Sequence, residues 1–410
     1  MYGIKRDSIT AIKYLLKHFP CVAILGARQV GKTTLVKQTM PGCPFFDLEK
    51  QSDFARIKSD PDFFLSQYSQ PIVVDEAQLM PELFSALRVA IDNNRNKNGQ
   101  YLITGYSSPD LTRHINESLA GRIAIFELGG FSLKESWKLP KNNIYALIAE
   151  KDTNKLSKIK PRLSNKELLK SCLLGAYPEP FLKYKTNYKA FSIWMENYFQ
   201  TYIKRDIRNI FPGLNIENYQ KFINMLAGAS GQILNASEFA RSLDVSQPTA
   251  KLYFQIAHGT FLWRTIKSYQ KNIIKRIVKM PKGHTRDTGL LNYLLRNRTV
   301  DEMLTHPIFG RIWETFIIEE IVKGFQNNLI RIEPFYYRTN NQAEIDLIIE
   351  GDFGIIPVGI KSGTITTKKQ ITTLVNFIQE HNLHYGILIN NSQETAWLSK
   401  KVLQLPAGCL

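Results

Sequence analysis

The chain has 410 residues, 44% of them hydrophobic, and a formal net charge of +17 at pH 7. This length is too great for one hydrophobic core and predicts two to four domains. No apolar stretch approaches the roughly 18 residues that a membrane span needs, and the first residues lack the apolar segment of a signal peptide, so we expect neither a membrane protein nor an exported one.

Net charge and cysteine spacing indicate the kind of partner and the cellular compartment. The excess of lysine and arginine favours a polyanionic partner such as DNA, although the same lysines also serve simply to keep a surface solvated. The four cysteines lie far apart and match no metal-ligand spacing. They are Cys21, Cys43, Cys172 and Cys409. We therefore expect free thiols in a reducing cytoplasm.

The first predicted strand leads into a phosphate-binding loop. Residues 21–25 are apolar and partly β-branched, and residues 34–38 are compatible with a helix. Between them, residues 26–33 match the pattern G-x-x-x-x-G-K-[ST] in full. The predicted ATP-binding residues are Gly26, Ala27, Arg28, Gln29, Val30, Gly31, Lys32, Thr33 and Thr34. In such a loop Lys32 binds the β/γ-phosphates, and Thr33 offers its hydroxyl to Mg²⁺.

A second apolar strand, residues 71–76, ends in two carboxylates. Asp75 is predicted to hold Mg²⁺, and Glu76 to polarise the attacking water. An Asp-Glu pair at a strand end is typical of an ATPase. The alternative is that both acids begin a solvated loop, but the phosphate loop upstream favours the ATPase interpretation.

A third strand, residues 100–105, places Thr104 at its carboxyl end. There its side chain is predicted to contact the γ-phosphate or to position the water. Arg122 follows a glycine turn farther along the chain. A planar cation stabilises the charge that develops on a transferred phosphoryl group, so Arg122 is a candidate arginine finger, in its own subunit or a neighbour's. An ordinary surface arginine is the alternative.

These motifs resemble the bacterial and archaeal AAA-type ATPases whose C-terminal region is similar to archaeal Holliday junction resolvases. Landmarks of that group recur in order along nearly the whole chain. They lie at residues 26–33, 75–76, 103–105, 118–122, 175–180, 202–207, 287–291, 343–346 and 360–363. The resemblance implies an ATPase with a nuclease-like C-terminal domain. One departure is Tyr106, which stands where the group usually has a small serine and affects only fine contacts around the γ-phosphate.

Two segments follow the predicted ATPase core. Residues 151–170 carry seven basic side chains with few apolar anchors, which predicts a flexible basic connection. In residues 171–230, apolar and aromatic side chains recur at helical spacing. This pattern favours a helical bundle, a candidate lid for the ATPase, over a platform on which bases stack.

A helix-turn-helix within a winged-helix domain is predicted from residue 235. The first helix is capped by Asn235 or Ser237, and Pro248 suits the first turn of the second helix. Residues 262–266 lead into a wing strand. The basic residues that follow are Lys271, Lys275, Arg276, Lys279 and Lys282. The candidate contacts in the DNA major groove are Ser246, Gln247, Thr249 and Lys251. A winged helix used for protein packing is the alternative.

The last hundred residues contain a predicted hairpin, with strands at 343–350 and 354–361. It resembles the metal site of restriction-endonuclease-like nucleases, in which an Asp on one strand and a Glu-x-Lys on the next bind Mg²⁺ and activate water. Asp346 and Lys361 match this pattern, and an upstream helix supplies Glu314 as an extra carboxylate.

The second acidic position of this nuclease pattern is occupied by Gly359, which has no side-chain oxygen. The metal site therefore lacks one ligand unless Glu314, Glu344 or Glu350 replaces it. We expect a nuclease-like fold whose site, Glu314, Asp346 and Lys361, is degenerate and impaired or inactive in cleavage.

The predicted fold class is α/β, with four parts. They are a P-loop AAA-type ATPase core at 1–145, a basic linker and helical lid at 146–230, a winged-helix domain at 231–300 and a restriction-endonuclease-like domain at 301–410.

Three functions stay open, all with ATP and Mg²⁺ as predicted cofactors. The first is an ATP-dependent protein that interacts with DNA, in which hydrolysis drives domain rearrangement. The second is a nucleotide-switched scaffold that binds protein partners, and the third is an ATP-gated nuclease, which Gly359 disfavours. A homo-oligomer follows if Arg122 acts on a neighbouring subunit.

Overall fold

The computed structural model describes residues 3–106, 115, 117–270, 279–339 and 342–410. The chain forms two compact units. The first comprises Met1–Phe131 with Gly259–Phe261, and the second comprises Ser132–His258 with Leu262–Leu410. The segments predicted as lid, winged helix and nuclease-like domain lie in the second unit, except for Gly259–Phe261 of the predicted winged helix.

A five-stranded sheet forms the centre of the first unit, in the order β2-β3-β4-β1-β5, with all neighbouring strands parallel. The strands are β1 (Cys21–Leu25), β2 (Phe45–Asp47), β3 (Ile72–Asp75), β4 (Tyr101–Gly105) and β5 (Ile123–Glu127). Strands β1 and β3 are buried along their whole length, as expected for continuous apolar strands of a parallel sheet. The carboxyl ends of β1, β3 and β4 therefore meet at one edge.

Helices surround this sheet. They span Ser8–His18, Lys32–Thr39, Gln51–Lys58, Pro61–Ser66 and Glu82–Asn93, and a 3-10 turn covers Ala77–Leu79. In the helix Glu82–Asn93, Leu83, Leu87 and Ile91 recur every four residues and are buried. This spacing places them on one face, which packs into the core.

A nine-stranded sheet runs through the second unit in the order β13-β14-β12-β11-β10-β9-β7-β8-β6. The strands are β6 (Gln232–Ile233), β7 (Trp263–Ser268), β8 (Lys282–Thr285), β9 (Ile332–Arg338), β10 (Glu344–Gly351), β11 (Gly354–Ile360), β12 (Gly386–Asn390), β13 (Ala396–Ser399) and β14 (Val402–Pro406). Strand β7 pairs in parallel with β9, where Lys267 faces Phe335. The predicted winged-helix and nuclease-like segments thus contribute to one sheet.

Many helices complete the second unit. They span Leu133–Trp137, Ile144–Glu150, Thr153–Leu156, Asn165–Leu174, Pro178–Tyr184, Tyr188–Phe199, Arg208–Ile210, Ile216–Ala229, Ala236–Leu243, Gln247–Gly259, Thr288–Leu294, Val300–Thr305, Phe309–Asn327 and Lys368–Glu380, with a π-helical segment at Gln200–Ile207 and a 3-10 turn at Ala407–Cys409. The helices Ala236–Leu243 and Gln247–Gly259 occupy the predicted helix-turn-helix segment. That they belong to a winged-helix domain stays a prediction.

Residues 151–170 are folded, which corrects the expectation of a flexible connection. Leu156, Leu163 and Leu168 are buried in the hydrophobic core of the second unit. Basic side chains such as Lys158 lie between them and are exposed. The composition was misleading because a few well-placed leucines anchor a segment that otherwise has the charge of a linker.

The thiols of Cys21, Cys43, Cys172 and Cys409 are all free, as predicted. Burial raises the pKa of Cys409 to about 12, so this thiol stays protonated. Among the described residues, none of the helices has the length and apolar character to cross a membrane.

Candidate nucleotide-binding site

The phosphate loop connects β1 to the helix Lys32–Thr39. Gly31 caps this helix with φ 93°, a left-handed conformation that glycine adopts without steric cost. At Gly26 a Cβ would lie 2.4 Å from the carbonyl oxygen of Leu128, so no side chain fits there. These two glycines allow the loop to bring its backbone close to a ligand at the helix N-terminus, where N–H groups favour phosphate.

Lys32, the first residue of this helix, turns its ammonium back over the loop. Its Nζ donates to the carbonyl oxygens of Gly26 at 3.1 Å and Ala27 at 3.2 Å. Burial lowers the pKa of Lys32, and the nearby carboxylates of Glu76 and Asp75 oppose this shift. The side chain places a positive charge beside the loop, where it complements phosphate oxygens.

Three predicted site residues meet at the carboxyl edge of the sheet. Thr33 Oγ1 donates to Asp75 Oδ2 over 2.7 Å, and the Thr104 hydroxyl donates to Asp75 Oδ1. Asp75 ends β3, and Thr104 lies on the neighbouring strand β4; both are buried. Hydroxyl and carboxylate oxygens are the ligands that Mg²⁺ prefers, so Thr33 and Asp75 fit this ion.

Glu76 leaves β3 in a left-handed conformation, with φ 57° and ψ 44°. Such a conformation is strained for a residue other than glycine and often marks a functional site. Its N–H donates to Thr104 Oγ1 over 3.3 Å, and Gln78 Nε2 donates to its Oε2 over 2.5 Å. Burial raises the pKa of Glu76, and the positive charge of Lys32 opposes this rise. A raised pKa strengthens a carboxylate as a proton acceptor.

Arg122 lies at the opposite end of the strands, beside the amino end of β1. Its carbonyl oxygen accepts the N–H of Cys21, the first residue of β1, whereas the phosphate loop begins beyond Leu25 at the other end. Strand β1 has five residues, so its two ends lie about 16 Å apart. The guanidinium binds Asp92 through two bonds of 2.8 and 2.9 Å. This position rules out the alternative in which Arg122 completes the site of its own chain; action on a neighbour stays a prediction.

Two arginines lie beside the loop: Arg28, which was predicted as part of the site, and Arg6, which was not. Arg6 is buried and donates to the carbonyl oxygens of Val30 at 2.8 Å and Gly129 at 2.9 Å, which fastens the loop to the chain that follows β5. Arg28, within the loop, pairs with Glu49 at 3.0 Å. No local pattern marks Arg6, because a single arginine in a charged N-terminal stretch has the composition of a surface residue.

Comparisons with known proteins agree with this geometry. A family described as an AAA domain matches residues 18–137. Uncharacterized protein Rv2008c of Mycobacterium tuberculosis is 32% identical over 353 residues, which are 84% of this chain and 71% of that protein. Uncharacterized protein Mb2031c of Mycobacterium bovis gives the same values. The chain belongs to this family of AAA-type ATPases.

Other parts of this AAA-type ATPase match less informative families. Residues 165–301 and 309–410 match two domains of unknown function, DUF8612 and DUF4143. The Walker-type ATPase PABY2304 of Pyrococcus abyssi is 15% identical, with 70% of this chain and 95% of that chain covered and a TM-score of 0.45. The RuvB Holliday junction branch migration motor of Thermotoga maritima is 14% identical, with 64% and 89% covered and a TM-score of 0.31. The resolvase-like C-terminal domain stays a prediction.

The nuclease-like candidates form a cluster of their own in the second unit of the ATPase. Glu314, Glu344 and Asp346 each offer a carboxylate oxygen, and these oxygens lie within 4.8 Å of one another. Lys361 Nζ lies 3.3 Å from Asp346 Oδ2. The structure thus brings together Glu314, Asp346 and Lys361, with Glu344 beside them, while Gly359 contributes no carboxylate.

A second lysine, Lys282, enters this acidic cluster. Its Nζ lies 2.5 Å from Glu314 Oε1 and 2.7 Å from Glu344 Oε1, and the residue is only 4% exposed. Burial by itself lowers the pKa of Lys282, but the two glutamates outweigh burial and raise the pKa above its ordinary value. Burial raises the pKa of Glu314 to about 7. Lys282 was grouped with the basic residues after the wing; it is an internal counter-ion instead.

The candidate DNA-contacting residues lie at the start of the helix Gln247–Gly259. Ser246, Gln247 and Lys251 are exposed, and Thr249 is half-buried. Ser246 Oγ accepts the N–H of Thr249 at 3.2 Å, and Gln247 Nε2 donates to Ser237 Oγ at 2.9 Å, so these polar groups also stabilise the helix pair. Lys271, Lys275 and Arg276 lie outside the described residues.

Proposed function

We propose that this AAA-type ATPase binds Mg²⁺-ATP in the phosphate loop and couples hydrolysis to domain rearrangement in a protein that interacts with DNA. The observation that best supports hydrolysis is the convergence of Thr33, Asp75 and Thr104 at one strand edge, with Glu76 as the next residue. Hydroxyl, metal-binding carboxylate and water-activating carboxylate are the groups that phosphoryl transfer to water requires.

Each residue then has a defined role. Lys32 binds the β/γ-phosphates, and Thr33 and Asp75 hold the metal, which when bound supplies charge to neutralise the phosphate oxygens. Glu76 accepts a proton from the attacking water. Thr104, which already contacts Asp75 and the N–H of Glu76, senses the γ-phosphate and transmits its presence to both acids.

Interaction with DNA is supported by the net charge of +17 and by exposed polar and basic side chains at the start of the helix Gln247–Gly259, among them Lys251. The test is ATP turnover of the purified chain with and without duplex DNA, across a salt series. We expect DNA to stimulate turnover and rising salt to weaken the stimulation steeply. Glu76→Gln is the control, which should bind ATP but not turn it over.

A second function is a nucleotide-switched scaffold for protein partners, in which the nuclease-like domain binds without cleaving, because Lys282 disfavours cleavage there. Its ammonium lies between Glu314 and Glu344, where nuclease chemistry needs a metal ion, and Gly359 supplies no replacement ligand. In a scaffold, DNA leaves turnover unchanged, while ATP and ADP give different oligomer sizes or partner capture. An ATP-gated nuclease is the least favoured function, and cleavage that Asp346→Ala abolishes would restore it.

A further inference from the structure

Gln78 lies two residues beyond Glu76, in the 3-10 turn Ala77–Leu79. Its Nε2 donates to Glu76 Oε2 over 2.5 Å. Its other polar atom, Oε1, is buried and has no hydrogen-bond partner in the described part of the chain. A buried amide oxygen without a partner is rare and requires an explanation.

The chemistry of the carboxylate fixes the orientation of this amide. An ionised glutamate has only acceptors, so the amide nitrogen of Gln78 must face Glu76 and its oxygen must point elsewhere. The backbone N–H of Glu76 is bonded to Thr104 Oγ1, and its side chain is bonded to Gln78. Glu76 is therefore held at both ends, and an unused acceptor lies on the residue that holds it.

We propose that Gln78 is a positioning residue for ATP hydrolysis: it fixes the carboxylate of Glu76 and offers Oε1 as a second acceptor to the attacking water. This inference rests on the proposed ATPase function. Water aims a lone pair at the γ-phosphorus when both of its hydrogens are accepted, one by Glu76 and one by Gln78. As the new phosphorus–oxygen bond forms, the bond to the ADP oxygen breaks and the water proton passes to Glu76.

A positioning role and a purely structural role predict different kinetic effects. If Gln78 positions Glu76 and the attacking water, its loss lowers kcat while the KM for Mg²⁺-ATP stays unchanged, because the water is aligned only for the chemical step. A residue that only stabilised the turn would lower thermal stability and ATP affinity together with kcat.

The experiment compares the full chain with Gln78→Leu, which lacks both polar atoms, and Gln78→Glu, which keeps the shape but loses the donor. Gln67→Leu is the matched control, because Gln67 is exposed at the end of the helix Pro61–Ser66. Steady-state Mg²⁺-ATP turnover, ATP affinity and thermal unfolding are measured for each variant. We expect both Gln78 variants to lose roughly 10- to 100-fold in kcat with unchanged KM, ATP affinity and thermal unfolding, and the control to match the parent.

Two results would overturn the inference while leaving the ATPase intact. One is parental turnover by Gln78→Leu, and the other is reduced turnover accompanied by a matching loss of ATP affinity or thermal stability, in both cases with Glu76→Gln inactive. If the parent chain itself shows no Mg²⁺-dependent turnover, the proposed function fails and the role of Gln78 fails with it. Unchanged ATP affinity and thermal unfolding identify a variant that has folded correctly.

Discussion

Lys282 Nζ lies 2.5 Å from Glu314 Oε1 in the second unit, where the lysine side chain is 5% exposed and the glutamate side chain 13%. Strand β8 supplies the lysine, and the helix Phe309–Asn327 supplies the glutamate. The lysine also contacts Glu344, the first residue of β10. One ammonium therefore joins three elements that are distant in sequence and neutralises carboxylates that would otherwise repel one another.

Lys282→Met should destabilise the protein strongly. Removal of one partner from a buried ion pair leaves an uncompensated charge and costs about 3–5 kcal/mol. Chemical denaturation measures this loss in the free energy of unfolding, and Lys279→Met is the control because Lys279 is exposed. Equal stability of the two variants would show that Lys282 is dispensable to the fold.

The stability of Lys282→Met should depend on pH in a defined direction. The pKa of Glu314 is already raised by burial from 4.5 to about 7, and the attraction of Lys282 opposes that shift. Without the lysine, the folded state holds a proton that the unfolded state releases, so stability falls as pH rises from about 4.5 through the raised value. We expect the stability that Lys282→Met loses relative to the parent to become smaller at acidic pH. We also expect added Mn²⁺ to bind this variant but not the parent. A deficit that grows on acidification would contradict this account.

Thr33→Val should raise the Mg²⁺ concentration needed for half-maximal ATP turnover. The hydroxyl of Thr33, which donates to Asp75 Oδ2 in the structure, is then lost as a metal ligand while the side-chain volume is kept. Turnover measured over a Mg²⁺ titration tests this, with Thr10→Val as the control on the exposed face of the helix Ser8–His18. An unchanged Mg²⁺ requirement would assign the metal to other ligands.

The structure brings Thr33, Asp75 and Thr104 together, and sequence patterns could place them at one site because each pattern is local. The phosphate loop follows β1, Asp75 is the last residue of β3, and Thr104 lies near the end of β4. Because these strands are parallel, their carboxyl ends lie side by side. The sequence did not predict Lys282, because its carboxylate partners lie 32 and 62 residues away. Gln78 was missed for another reason: its role depends on a side-chain rotamer and on the left-handed turn at Glu76.

Arg122 should contribute to catalysis only between subunits. Within its own chain it lies at the far edge of the sheet, bound to Asp92. We expect turnover per subunit to rise with protein concentration in the parent chain, and Arg122→Ala to remove this rise and lower kcat. Arg95→Ala serves as the control, because Arg95 is also exposed and basic. Turnover that is independent of concentration and unaffected by Arg122→Ala would assign the arginine to the ion pair alone.

Lys251 should make a measurable contribution if the helix Gln247–Gly259 binds DNA. Its neighbours Ser246 and Gln247 already bond within the helix pair, so Lys251 offers the exposed charge on this turn. One phosphate contact releases about one counterion, so Lys251→Ala should reduce the slope of log affinity against log salt by about 0.9. Fluorescence anisotropy with a labelled duplex measures the slope, and Lys13→Ala, exposed in the first unit, is the control. If DNA binds and both variants keep the parental slope, the duplex contacts another surface. If the parent does not bind DNA, the scaffold function is the better account, because the helix pair then packs against protein.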